Sequence, residues 1–199
     1  MSAFLGPIHF WMYHKIQVQQ SMVEDIINLD LVPGLKEELD QMYGVSETQP
    51  LEEIIDEGNI HGWLQQRVSK VEYKLAYSVT AILKAGQESL AKIEQIFFEN
   101  GKKAAAKITL TSASQAFKLL NDSLLDGMPC DHVNSLVKDS EQETVWRKTA
   151  CVHGSYWDEV GGSVDTYYQL RDFFIKGLLE GSSLGYEKVD KDTSRIVKV

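Results

Sequence analysis

The sequence predicts a mainly α fold with a small antiparallel β part (α+β): a bundle of five to six helices plus one or two β-hairpins. Three observations carry this. Apolar residues recur at helical spacing over most of residues 1–127. Two short runs rich in β-branched and aromatic residues then flank a polar centre at 139–143, the pattern of a hairpin with a longer loop. A second pair of such runs surrounds Asp190-Lys191-Asp192-Thr193. The 199 residues suit one domain, with 1–127 as the helical bundle and 128–199 as hairpin, helix and strands packed on it.

The first helix is expected over 4–31. Pro7 fits its first turn, where a missing N–H costs nothing. Ile8, Trp11, Met12, Ile16, Met22, Ile26 and Leu29 form its apolar side, and its start is aromatic, with Phe10, Trp11 and Tyr13 between His9 and His14. Those residues either pack a core or line a pocket, so His9 and Trp11 are candidate ligand-binding residues. Pro33-Gly34 ends this helix, 35–43 forms a short one stopped by Gly44, and Pro50 opens another with Leu51, Ile54 and Ile55 inward. A long helix then runs to Lys84 with Leu64, Val68, Val71, Leu75, Val79 and Ile82 on one face. His61 shares a face with Glu57 if the helix is continuous through Gly58, which makes it a further candidate ligand-binding residue. Glu72 falls beside the apolar face, where it snorkels, pairs with Arg67 or Lys74, or points inward as a polar anchor in a pocket.

Helices are expected next at 88–108 and 112–126, with Gly127 as the stop of the second. The helix at 166–180 carries Tyr167, Leu170, Phe174, Ile175, Leu178 and Leu179 inward. Arg171 lies near this stripe and is placed to reach a carboxylate, from the protein or from a ligand. Gly177 and Gly181 permit a close helix crossing and are compatible with a homodimer. Strands are expected at 186–189 and 195–199. An isolated hairpin is marginal in water, so the two hairpins are expected to join into one antiparallel sheet of three or four strands.

The chemistry concentrates between Cys130-Asp131-His132 and Cys151-Val152-His153, which hold both cysteines of the chain. A hairpin turning between Glu141 and Gln142 sets Cys130 opposite His153 and His132 opposite Cys151. Residues two apart on a strand share a face, and so do opposed residues. Opposed Cβ atoms lie about 5 Å apart and diagonal neighbours about 7 Å, within reach of one tetrahedral ion. Two thiolates and two imidazoles suit zinc, with iron as the nearest competitor. Cys130, His132, Cys151 and His153 are therefore candidate metal ligands. A second reading makes Cys130 or Cys151 a nucleophile activated by a neighbouring histidine and oriented by Asp131 or Asp158. A third makes the chain a small-molecule-binding or sensory module with an aromatic-lined pocket. A fourth makes the cysteines small buried hydrophobes and the histidines hydrogen-bonded core residues.

The net charge of −9 argues against nucleic acid and against anionic membrane surfaces, since no basic run supplies a footprint. No stretch approaches roughly 18 uninterrupted apolar residues. The N-terminus lacks the basic start of a signal peptide. A cytoplasmic protein with reduced thiols is the expectation. No G-x-G-x-x-G, P-loop, H-E-x-x-H, G-x-S-x-G or C-x-x-C occurs.

The order of helical region, cysteine, hairpin, cysteine, aromatic helix, glycine exit and strands is carried by Cys130, Asp131, residues 145–149, Cys151 and residues 173–181. It resembles small-molecule-binding domains of the four-vinyl-reductase type and the 2-aminothiazoline-carboxylate hydrolase-like proteins. The resemblance covers about the last third of the chain. It implies a pocket between helices and sheet that holds a small organic ligand, with a metal at its edge, and it transfers no activity. The leading expectation from the sequence is an ion, zinc before iron, held by the two Cys-x-His pairs.

Overall fold

A computed structural model describes residues 4–86 and 89–199. Eight α-helices and one four-stranded antiparallel sheet make up the described regular structure, the α-rich arrangement expected from the sequence. Helix α1 (Pro7–Ile27) starts at Pro7 as its spacing predicts. It ends four residues before the expected point. Asp30 adopts a left-handed backbone (φ 52°) and its N–H bonds Ile27 O at 3.0 Å, which tightens the last turn. Helices α2 (Leu35–Tyr43) and α3 (Leu51–Ile54) follow. A 3-10 turn at Glu57–Asn59 separates them from α4 (Ile60–Ala85), whose Gly62 N–H is capped by Asn59 Oδ1 at 3.2 Å. The cap interrupts the helix between Glu57 and His61, so the helical spacing expected of that pair is not formed.

Helix α5 (Leu90–Ala105) lies along α8 (Val164–Leu179), and α1 lies along α4. The expected start of α5 at Glu88 lies outside the described residues. The α5–α8 crossing is made backbone to backbone. A Cβ at Gly101 would overlap the Phe174 carbonyl, and one at Gly177 would overlap the Phe98 carbonyl. Gly177 is thus used within the chain, and Gly181 (φ 75°) serves as the left-handed residue after α8. Around these pairs Ile26, Leu64, Leu75, Val79, Ile82, Ile93, Leu170 and Phe174 are fully buried. Each such side chain stabilises the fold by about 1.5–3 kcal/mol relative to exposure.

Helix α6 (Ala113–Ser123) is capped by Ser112 Oγ, which accepts from Gln115 N–H at 3.2 Å. It stops short of Asp126, because Leu124 is extended and Gly127 turns the chain at φ 69°. Strands β1 (Asn134–Lys138), β2 (Glu143–Lys148), β3 (Leu184–Lys188) and β4 (Thr193–Lys198) pair in the order β1-β2-β4-β3. The two hairpins do join, through β2 and β4. Asp190 Oδ1 accepts the Asp192 and Thr193 N–H groups at 2.8 and 2.7 Å and fixes the turn between β3 and β4. Trp146 and Ile196 face the helices from the sheet, with the Phe117 ring 5.0 Å from that of Trp146. Short helix α7 (Gly154–Glu159) links β2 to α8 and buries Trp157. No helix among the described residues is long and apolar enough to cross a membrane.

The first hairpin departs from the expected register. Lys138 faces Val145 as expected, but a bulge after Leu136 moves the rest by one residue, so Leu136 faces Trp146 and Asn134 faces Lys148. Both strands also end before the Cys-x-His pairs. Pro129–Asp131 forms a 3-10 turn held by the Asp131 carboxylate on Met128 N–H at 2.8 Å, and His132 is left-handed at φ 47°. The alternation that would align Cys130 with His132 therefore does not exist.

Candidate functional site

Among the buried residues of α1 are the polar Lys15 and Gln19, and among those of α4 is Glu72. All three are buried. Gln19 Nε2 donates to Glu72 Oε1 at 2.9 Å, and His153 Nδ1 meets Glu72 Oε2 at 2.9 Å. His153 stands at the head of α7 and is 0% exposed. Its Nε2 lies 3.5 Å from Asp126 Oδ1, an ionic contact without the alignment of a hydrogen bond. Asp126, freed from α6 by the turn at Gly127, takes the Arg171 guanidinium at 2.6 and 2.9 Å through both oxygens and Asn134 Nδ2 at 3.0 Å. Arg171 Nη1 also reaches the Tyr167 hydroxyl at 3.5 Å, and the Tyr167 ring lies 4.0 Å from the His153 ring. Glu72, His153, Asp126 and Arg171 thus form an alternating chain of charges in the core, drawn from α4, α7, the α6–β1 connection and α8.

Burial alone would push the His153 pKa down. The Glu72 and Asp126 carboxylates outweigh it and raise the pKa to about 9, so the ring is an imidazolium at neutral pH. Burial would likewise push the Asp126 carboxyl up, but the Arg171 guanidinium and the His153 ring hold it well below the usual range. Unpaired buried charges are costly, and here each sign has its opposite within contact distance.

The four expected metal ligands occupy different environments. His153 is buried with both ring nitrogens turned to carboxylates, whereas Cys130, His132 and Cys151 are exposed. Among the described residues no group of three or more His, Cys, Asp and Glu is arranged to hold a metal ion. The structure does not gather Cys130, His132, Cys151 and His153 into one donor set. Asp131 is committed to its turn, and Asp158 is exposed on α7. His9 is buried, with Nδ1 accepting the Gly6 N–H at 2.9 Å, and its ring lies 5.5 Å from that of exposed His61. Arg171 does find a carboxylate, that of Asp126.

Cys151 is set apart from Cys130 by its neighbours. The Tyr168 hydroxyl donates to its Sγ at 3.2 Å. Partial burial would raise the thiol pKa, but Tyr168, the backbone N–H groups of His153 and Gly154, and the His153 charge lower it overall. Lys148 Nζ stands 3.9 Å over the Tyr168 ring. That ring is one wall of a hollow of about 390 Å³ between α8 and the sheet. Trp146 and Tyr186 are its other aromatic walls, and Lys148, Asp172 and Lys188 bring charges of both signs.

A second cavity, of about 180 Å³, opens on the α1 side of the charge chain. Trp11, Lys15, Asp126, His132 and Asn134 line it. Trp11 Nε1 donates to Asp122 Oδ1 at 3.0 Å, and Lys15 Nζ lies 4.2 Å over the Trp11 ring. Sequence reasoning singled out Trp11, His132 and Arg171 but missed Lys15, Asp126 and Gln19. A signal existed for two of these, since Lys15 and Gln19 fall between the apolar positions Met12, Ile16 and Val23 of α1. Asp126 carried none. No protein-family model, curated protein or solved structure matches this chain.

Proposed function

We propose that this chain is a thiol-dependent hydrolase of a small, polar acyl compound, with Cys151 as nucleophile. The observation that supports it is the setting of the Cys151 thiol, which is exposed yet held by the Tyr168 hydroxyl and two backbone N–H groups that favour its thiolate. A thiolate, not a thiol, is the competent nucleophile. The adjacent hollow falls in the size range of small-molecule sites, and its aromatic walls and mixed charges suit a compact polar substrate. In this reading the thiolate adds to the acyl carbon and the leaving group departs with a proton taken from solvent water, which gives a thioester. Water then cleaves the thioester and restores the thiolate. Buried His153 is a fixed positive charge near the thiol rather than a proton shuttle, because its nitrogens are held by Glu72 and Asp126.

The test is the pH dependence of alkylation by iodoacetamide in a Cys130→Ser background. Cys151 is expected to react with an apparent pKa well below about 8.5, the value of an ordinary thiol, and Tyr168→Phe is expected to move it up. An apparent pKa near that ordinary value in both proteins overturns the reading.

A further inference from the structure

We propose that the Lys15 amine is a carbonyl-capturing site, binding a small aldehyde or ketone as an imine in the cavity formed with Trp11, Asp126, His132 and Asn134. Lys15 is 2% exposed and lines this cavity, yet among the described residues no hydrogen bond or ion pair reaches its Nζ. Buried ammonium groups are almost always paired, and this one has a carboxylate nearby that does not serve it. Asp126 is committed to Arg171 and Asn134, and Asp122 to Trp11 Nε1 and Lys118. The face of Trp11 lies 4.2 Å from the amine. A lysine on a flexible stem, largely buried and without an ion-pair partner at the wall of an open cavity, is the arrangement that keeps an amine nucleophilic near neutral pH. Burial lowers its pKa to about 8, in the same direction.

The cavity's size and lining select the ligand. About 180 Å³ accommodates on the order of six water-sized volumes, hence a molecule of a few heavy atoms. Asn134, at the cavity wall, brings a polar amide for the ligand oxygen. In the reaction the amine nitrogen adds to the carbonyl carbon and a C–N bond forms. The carbonyl oxygen takes up both protons that the nitrogen loses and leaves as water, as the C–O bond breaks and the C=N bond forms. His132 lines the same cavity, and in the proposed reaction it relays those protons.

The experiment uses the intact protein with glycolaldehyde at sub-stoichiometric amounts near pH 7.5, sodium borohydride to reduce any imine, and peptide mapping by mass spectrometry. An exposed lysine is neutral in about one part in a thousand at that pH, while Lys15 is neutral in roughly a quarter. After allowance for its lower basicity, labelling of Lys15 is expected to be about tenfold faster than that of exposed Lys118 or Lys176. Pyridoxal phosphate, too large for the cavity, is expected to spare Lys15 and label exposed lysines. Lys15→Met is expected to lose the fast label while far-ultraviolet circular dichroism stays native. Should Lys15→Met fail to fold, the ratio of Lys15 to Lys118 labelling within the wild-type protein still decides. Labelling of Lys15 at or below the rate of Lys118, or equal labelling by the large aldehyde, overturns the proposal. Cys151→Ser is expected to leave Lys15 labelling unchanged, so this site and the proposed thiol chemistry stand or fall separately.

Discussion

The buried His153 and Lys15 titrate in opposite senses, and together they shape the pH dependence of stability. His153 has its pKa raised from the ordinary 6.5 to about 9. Its contribution is fully present below pH 6.5 and is lost as pH rises through about 9, because the folded state binds the extra proton. Lys15 has its pKa lowered from 10.5 to about 8. It disfavours folding while charged in the unfolded chain, and that cost disappears as pH rises from about 8 towards 10.5. At about 1.4 kcal/mol per pH unit, each group alone is worth about 3 kcal/mol over its window. Superposed, they give a fall of about 2 kcal/mol between pH 6.5 and 8 and a level stretch to about 9. In a protein of this length that fall lowers Tm by about 4–8 °C.

Urea denaturation followed by tryptophan fluorescence, across pH 6 to 9.5, measures this. Cys130→Ser and Cys151→Ser remove thiol titration from the window. Lys15→Met is expected to extend the fall to about 3 kcal/mol by pH 9, and His153→Gln to abolish it and leave only the rise above pH 8. A wild-type stability that is flat from pH 6.5 to 8, or a fall that persists in His153→Gln, would refute the assignment of the imidazolium to the core.

Three more expectations follow from contacts described above. Asp126→Ala leaves the Arg171 guanidinium and the His153 ring buried without their shared carboxylate and should cost about 3–5 kcal/mol, whereas Asp126→Leu combined with Arg171→Met should cost much less, read by urea midpoints. Gly177→Ala should destabilise by about 3 kcal/mol or more, since its methyl overlaps the Phe98 carbonyl, while Gly181→Ala, with open space around it, should cost about 1 kcal/mol for its left-handed backbone. Treatment with chelator should leave Tm unchanged, because His153 is stabilised by Glu72 and Asp126; a lowered Tm restored by zinc would show that Cys130, His132, Cys151 and His153 do gather around an ion.

Much of the fold was legible in the sequence because its signals are local. Pro7, Gly44 and Gly86 stand at helix ends, and the apolar positions of α4 recur at helical spacing along its length. The register of the first hairpin was not legible. It depends on one bulged residue beside Leu136, and nothing in the run Ser135-Leu136-Val137-Lys138 marks which residue will be skipped. The charge chain was illegible for a different reason. Its members lie at 72, 126, 153 and 171, so only packing brings them together. Glu72 and Arg171 showed as polar residues at apolar stripes, and the inward option for Glu72 is the one realised. Asp126 falls at the end of the helix expected over 112–126, where a carboxylate carries no signal. The equal spacing of the two Cys-x-His pairs hides unequal fates: a buried core cation at 153 and an exposed thiol at 151.

The glycine crossing of α5 and α8 bears on how any small molecule is received. Where two helices meet backbone to backbone, neither can roll or slide without collision, so α8 is a fixed rail. Tyr167, Tyr168 and Arg171 ride on that rail, and their positions do not adapt to a guest. In the two sites proposed above, accommodation would fall to what faces them: the strand ends around Lys148 and Lys188, and the turn from Gly127 to His132. Variation in those two connections would retune what is accepted while the charged core behind them stays as it is.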